Sequence, residues 1–163
     1  MNDIQLTPHF RLSEFTRSAT ATARHIDNSL DPSDPCTKQI IDNLRSLCEN
    51  ILEPLRAAIN TPSLLGEGRG EASIIINSGY RCPKLNKAVG GVTNSQHMTG
   101  EAADIRVPDA ATGNKWFLWM MDNLQFDQLI FEHNKKGTYW IHVSYRKGHN
   151  RQTVIRNLVK NKS

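Results

Sequence analysis

His97 and Asp104 stand seven residues apart in the stretch HMTGEAAD, and His142 lies further on, inside WIHVSY. Two imidazoles and one carboxylate make a standard donor set for zinc, and they leave the fourth position to water. That open position separates a catalytic metal site from a structural one. A histidine on a loop, a turn at Gly100 and an aspartate on the ensuing strand can present both groups to one cation, and Ala102 and Ala103 leave the approach unobstructed. In WIHVSY, strand alternation sets Trp140, His142 and Ser144 on one face and Ile141, Val143 and Tyr145 on the other. Each piece also has a plainer reading. His97 with Asp104 suits a hydrogen-bonded loop staple, and a single strand histidine suits packing or a solvent-facing position.

These residues need elements to hold them. Ser33-Asp34-Pro35 reads as an N-cap followed by a first-turn proline. Ile40, Ile41, Leu44, Leu47, Ile51, Leu52 and Leu55 then recur at helical spacing, so a long amphipathic helix is expected to about Ala58, kinked or split by Pro54. A short helix is expected around Ser13–Thr16, and residues 61–72, with three glycines and a proline, read as a loop. Strands are expected at Ser73–Asn77 and Ala102–Val107, with a short helix near Pro83–Ala88 and a glycine- and serine-rich loop over 90–100 between them. A helix through Trp116–Asn123 precedes two strands, Phe126–Glu132 and Thr138–Tyr145, which flank the polar turn HNKKG as a hairpin. The basic tail from Arg146 either closes as a last strand or drapes the surface. This order predicts an α+β fold, with a small, mainly antiparallel sheet packed against a long N-terminal helix. One domain is expected over 1–163, with residues 1–32 as an N-terminal extension packing on it.

The bulk properties exclude several classes. A chain of 163 residues with 38% hydrophobic and 22% charged side chains suits one globular domain rather than disorder. No stretch approaches the ~20 apolar residues of a membrane span. The N-terminal run MNDIQLTPHFRLSEF lacks the basic and apolar regions of a secretory signal, so synthesis in the cytoplasm is expected, with delivery to any external substrate by other means. A net charge of +4 favours anionic partners, wall polymer or nucleic acid, but the basic residues are scattered and form no arginine-rich arm. Nucleic acid is therefore not an expected partner. Cys36, Cys48 and Cys82 form no CxxC pair and are odd in number, which suggests neither a disulfide framework nor a cysteine zinc site. Cys48, within the apolar helical pattern, reads as a small buried hydrophobe.

Residues 77–107, NSGYRCPKLNKAVGGVTNSQHMTGEAADIRV, resemble the M15 family of zinc peptidases, the D-Ala-D-Ala carboxypeptidase-like group. Those proteins carry an SGYR segment, then S-x-H-x-x-G-x-A-x-D, and later a W-x-H strand. The matching residues are Ser78, Gly79, Tyr80 and Arg81, then Ser95, His97, Gly100, Ala102 and Asp104, then Trp140 and His142. Several separated elements in the right order make this a specific match.

The resemblance implies zinc held by His97, Asp104 and His142, with Arg81 gripping a substrate carboxylate or carbonyl. Ser95 matches a position that orients the substrate or the loop, and no Ser–His–Asp context makes it a nucleophile. The chain departs from the family at the general base. Many relatives place an acid or histidine two or three positions before the last zinc histidine, where this chain has Trp140 and Tyr139. Glu132, at the end of DQLIFE, is the candidate base, with Asp127 and His133 in reserve. Glu132 reaches the metal face only if the hairpin register pairs it with an even-numbered residue such as Trp140. Tyr80, Trp140 and Tyr139 are candidates for the pocket wall. Trp116, Phe117 and Trp119 are expected in the core, and His9, His25 and His149 on the surface. The expected function is hydrolysis of peptidoglycan stem peptides, at a D-alanine-containing bond, by a monomer. Small size and the lack of a signal resemble phage- or prophage-encoded lytic enzymes. The alternative is a peptidoglycan-binding module of the same fold that cuts nothing.

Overall fold

The computed structural model describes residues 3–65 and 70–160, the last four through their backbone only. β1 (Gln5–Thr7) and β2 (Phe10–Arg11) form a small antiparallel pair, followed by the short helices α1 (Leu12–Thr16) and α2 (Ala19–Ala23). Leu6, Phe10, Leu12 and Phe15 are buried in the same core as the later sheet, so this N-terminal stretch packs on the rest of the domain.

Asp34 caps α3 (Pro35–Leu47) by accepting the Cys36 N–H at 2.8 Å, and Pro35 fills the first turn where no N–H is required. α3 buries Ile41, Leu44 and Leu47, widens into a π turn at Cys48–Leu52, and continues as α4 (Glu53–Ile59). The expected long helix is thus present in three pieces. Pro54 is the local cause, because it has no N–H to donate and its ring would strike the carbonyl four residues back. The longest unbroken helix is instead α7 (Ala110–Asn123), mid-chain, which corrects the picture of one long N-terminal helix. Cys48 lies wholly buried, and that burial pushes its thiol up in pKa. A further short helix, α5 (Pro62–Leu65), takes up part of the stretch expected as a loop, of which residues 66–69 lie outside the described residues.

β3 (Ile76–Ser78) leads into α6 (Pro83–Ala88), a 3-10 turn at Gln96–Thr99, and β4 (Ala102–Arg106). After α7 come β5 (Gln128–Asn134), β6 (Tyr139–Ser144) and β7 (Thr153–Lys160). The five strands form one sheet in the order β3-β4-β6-β5-β7. All neighbours are antiparallel except β5 and β7, which run parallel, so the basic tail closes as a last strand.

Side-chain alternation gives this sheet two different faces. Ala103, Ile105, Leu129, Phe131, Ile141 and Val143 are buried in the core, with Phe131 stacked on Phe117 of α7 at 5.6 Å between ring centroids. The other face carries Asp104, Glu132, Trp140 and His142. Gly100 joins the 3-10 turn to β4 with φ +73, and a Cβ there would stand 2.5 Å from the Ile40 carbonyl of α3. Glycine therefore serves both the turn and the close approach of α3 to the loop. Among the described residues, no helix is long and apolar enough to cross a membrane.

Candidate metal centre

The 3-10 turn sets the first imidazole. Ser95 accepts the His97 N–H at 3.3 Å, and His97 is buried, with Nδ1 2.7 Å from the Gly79 carbonyl. A carbonyl only accepts, so Nδ1 carries the proton and Nε2 keeps its lone pair. That nitrogen lies 3.5 Å from Oδ1 of Asp104. The β4–β6 register puts Asp104 directly opposite His142, whose Nδ1 is 2.9 Å from the same oxygen. One donor atom from each of the three residues lies within 4.8 Å of the others.

The second oxygen of Asp104 is already engaged. Arg81 Nη2 donates to Oδ2 at 3.0 Å, and Arg81 Nε donates to Ser78 Oγ at 2.8 Å. Those two donors form one edge of the guanidinium. The Nη1 side makes no hydrogen bond among the described residues, and Arg81 borders the cavity described below.

Burial pushes the His97 imidazole down in pKa, against the pull of the Asp104 carboxylate, so a neutral ring with a free Nε2 is favoured. Burial alone would raise the Asp104 carboxyl. The imidazoles of His97 and His142, through charge and hydrogen bonds, outweigh it and hold the group well below the usual carboxylate range. An ionised Asp104 carboxylate beside a neutral His97 imidazole suits a metal ligand set, in which such groups bind deprotonated. The outer contacts, Gly79 on His97 and Arg81 on Asp104, supply the orienting partners that such ligands need. The residues present fit a zinc-type cation.

A cavity of about 380 Å³ opens over this cluster. Besides the three donors it is lined by Arg81, Ser95, Glu132, Trp140 and the 89–92 loop. Glu132 is buried, and the hairpin register pairs it with Trp140, which puts it on the same face as His142. A larger groove, about 720 Å³, lies between α3 and residues 146–149 and includes none of the three donors. Its many charges partly satisfy one another, as in the Arg146–Glu101 and Arg45–Asp42 pairs, so the smaller cavity is the chemical one.

Other residues considered from the sequence fall elsewhere. Tyr80 is packed in the core and is not among the residues lining the cavity. Tyr139 points to the opposite sheet face and stacks on His133 at 5.1 Å between centroids. Asp127, held as a reserve base, is fully buried and committed. It accepts from Arg151 Nε and Nη2 at 2.9 and 2.8 Å and from Gln96 Nε2 at 2.9 Å. His9 pairs with Glu53, and neither His25 nor His149 borders the cavity.

The structure also adds a framework that the sequence reading missed. Asp127 ties the residue beside His97 to the segment leading into β7, Ser78 and Gly79 orient Arg81 and His97, and Asn28 bonds to the backbone around Arg81. No spacing rule pairs Gln96 with Asp127. Asn28 had one weak signal, the alternation Ile26-x-Asn28-x-Leu30.

A family model described as peptidase M15 matches residues 8–144. The chain belongs to the peptidase M15 family. The match begins ahead of β2, so most of the N-terminal extension is part of the family domain, and it ends with β6, before β7. M15 peptidases are generally zinc-dependent, in keeping with the donor set of His97, Asp104 and His142. No curated protein matches the chain.

Proposed function

We propose that this chain is a zinc metallopeptidase that hydrolyses peptidoglycan stem peptides at a D-alanine-containing bond, as a carboxypeptidase or an endopeptidase. The observation that carries the reading is the convergence of His97, Asp104, His142, Glu132 and Arg81 on one cavity. His97, Asp104 and His142 hold the metal. Zinc held by them would supply Lewis-acid chemistry at the scissile carbonyl and would acidify the attacking water. Glu132 is the general base, its carboxylate taking a proton from the attacking water and returning it to the leaving amine. Arg81 turns its remaining guanidinium edge to a substrate carboxylate or carbonyl, since a planar fork suits two-point recognition. Ser95 orients the substrate or its own loop, and Trp140 forms an apolar wall.

The protein acts on the cell wall as a monomer, in the manner of phage- or prophage-encoded lytic enzymes. A second reading, a wall-binding module that cuts nothing, is motivated by Trp140 and Tyr139 standing where many relatives carry an acid or histidine. One experiment separates the two. Purified peptidoglycan is digested with wild type and His97→Ala, each with and without added zinc, and the products are analysed by mass spectrometry. Release of a defined peptide or of D-alanine by zinc-loaded wild type alone supports the peptidase. Stoichiometric zinc binding with no product would overturn it and leave the binding module.

A further inference from the structure

Asn28 is buried, 6% exposed, on an extended segment where Ile26 and Leu30 are also buried and the residues between them exposed. Its side chain makes three hydrogen bonds, all to backbone. Nδ2 donates to the Thr16 carbonyl at 2.8 Å and to the Tyr80 carbonyl at 3.0 Å. Oδ1 accepts from the Cys82 N–H at 2.7 Å. The amide orientation is unambiguous, because two of these partners only accept and one only donates.

Two of the bonds straddle one residue. A carbonyl at position 80 and an N–H at position 82 are what a neighbouring parallel strand would engage around residue 81. One side-chain amide thus replaces a strand partner on the outer side of Arg81. On the inner side, the Arg81 N–H donates to the His97 carbonyl at 3.1 Å. The peptide carrying Arg81 is gripped from both sides, once by the metal loop and once by Asn28. The segment bearing Asn28 is also fixed by packing, since Ile26 lies in a buried cluster with Ala21 and Leu85, and Asp27 stiffens it locally by accepting from the Ser29 N–H at 2.9 Å. The rigidity this adds matters most for a long side chain that must meet Ser78, Asp104 and a substrate together.

We infer that Asn28 is a positioning residue for Arg81, through which the N-terminal segment sets the substrate-gripping edge of the site. The inference rests on the proposed role of Arg81 in substrate binding. Asn28 lines no part of the cavity and bonds to no metal donor, so its loss should act first on substrate affinity and disturb metal affinity only as far as Arg81 loosens from Asp104.

The test is a double-mutant cycle of Asn28→Ala and Arg81→Ala on the zinc-loaded full chain, with a synthetic stem peptide ending in two D-alanines. Asn28→Ala is expected to raise KM about tenfold or more with a smaller change in kcat, and to keep zinc stoichiometry. In the Arg81→Ala background, Asn28→Ala should add no further loss. Additive losses, or equal damage to KM, kcat and zinc binding, would overturn the inference in favour of general scaffolding. Should Asn28→Ala fail to fold, Asn28→Asp carries the test, since it keeps the shape and the Cys82 bond but loses the donor to Tyr80 and Thr16. A second readout needs no turnover. The Arg81 Nε–H resonance should shift and exchange faster in either Asn28 variant, while the His97 ring signals stay in place. If wild type cuts nothing yet that resonance depends on Asn28, the proposed function has failed and the positioning stands. If it is indifferent to Asn28, the inference is wrong whatever the activity.

Discussion

The Gly79 carbonyl lies 2.7 Å from Nδ1 of His97, and Phe15, fully buried, stands directly behind Gly79. A Cβ built on Gly79 would stand 2.7 Å from the Phe15 backbone Cα and 2.8 Å from its ring. The oxygen that orients the His97 imidazole is therefore held in place by packing from the N-terminal helix α1.

Gly79→Ala should force either Phe15 or the 78–81 segment to move. The expected cost is about 1–3 kcal/mol of stability, the usual size of an overpacking defect. Zinc should weaken by about tenfold or more, as for other losses of an orienting partner. Thermal unfolding and zinc competition on the same sample check both, and unchanged zinc affinity would show that this carbonyl does not set the imidazole.

Glu132→Gln keeps the shape of the side chain and removes its proton-accepting charge. Hydrolysis should fall by about 10²–10⁴-fold, the range for a lost general base, while zinc still binds one to one. A variant that retains most of its activity would move the base elsewhere.

Arg81→Lys keeps the positive charge but cannot hold Ser78, Asp104 and a cavity occupant at once, because an ammonium lacks the planar fork. Zinc affinity should drop about tenfold through Asp104. The loss in kcat/KM should be larger than that, since substrate grip goes as well. Titration with a coloured chelator and initial rates at saturating zinc separate the two effects. Full activity in Arg81→Lys would reduce Arg81 to a point charge.

The hydrogen bonds from Arg151 hold the Asp127 carboxyl at about 2, below its ordinary 3.8. A carboxyl lowered in the fold stabilises it above the unfolded value and loses that contribution as the pH falls through the folded value. The protein should therefore shed about 2 kcal/mol between roughly pH 4 and pH 2 from this group. Asp127→Asn should be less stable at neutral pH by a similar amount and lose less between pH 4 and pH 2. Urea midpoints at a series of pH values measure this, and parallel curves for the two proteins would refute it.

The clustering of His97, Asp104 and His142 was legible in the sequence because each sits in a local pattern, a loop motif or a strand alternation, that can be read without knowing the fold. The antiparallel core of the sheet and the helices α1 and α6 followed from the same periodicities. Glu132 was legible only conditionally, since one step of register would have turned it away, and the pairing with Trp140 is a tertiary outcome. The division of the first long helix by a π turn escaped in detail, although Pro54 signalled a break there. The parallel placement of β7 escaped too, because nothing in its residues distinguishes pairing with β5 from draping. Least legible were the contacts that orient the donors. Phe15 behind Gly79, Gln96 on Asp127 and Asn28 around Arg81 join residues far apart in the chain by single hydrogen bonds or close contacts that leave no periodic trace.

Arg81 places one edge of its guanidinium on Asp104 and Ser78 and is itself among the residues that line the cavity. A single rigid group shared in this way would make a bound metal and the cavity's occupant reciprocal effectors. Whatever factor a bound peptide adds to metal affinity, the metal must add to peptide affinity, because the coupling free energy belongs to the pair. With favourable coupling, a chelator would compete less well against a saturated protein than against an empty one, and stripping the metal would loosen even a peptide gripped by Arg81 alone.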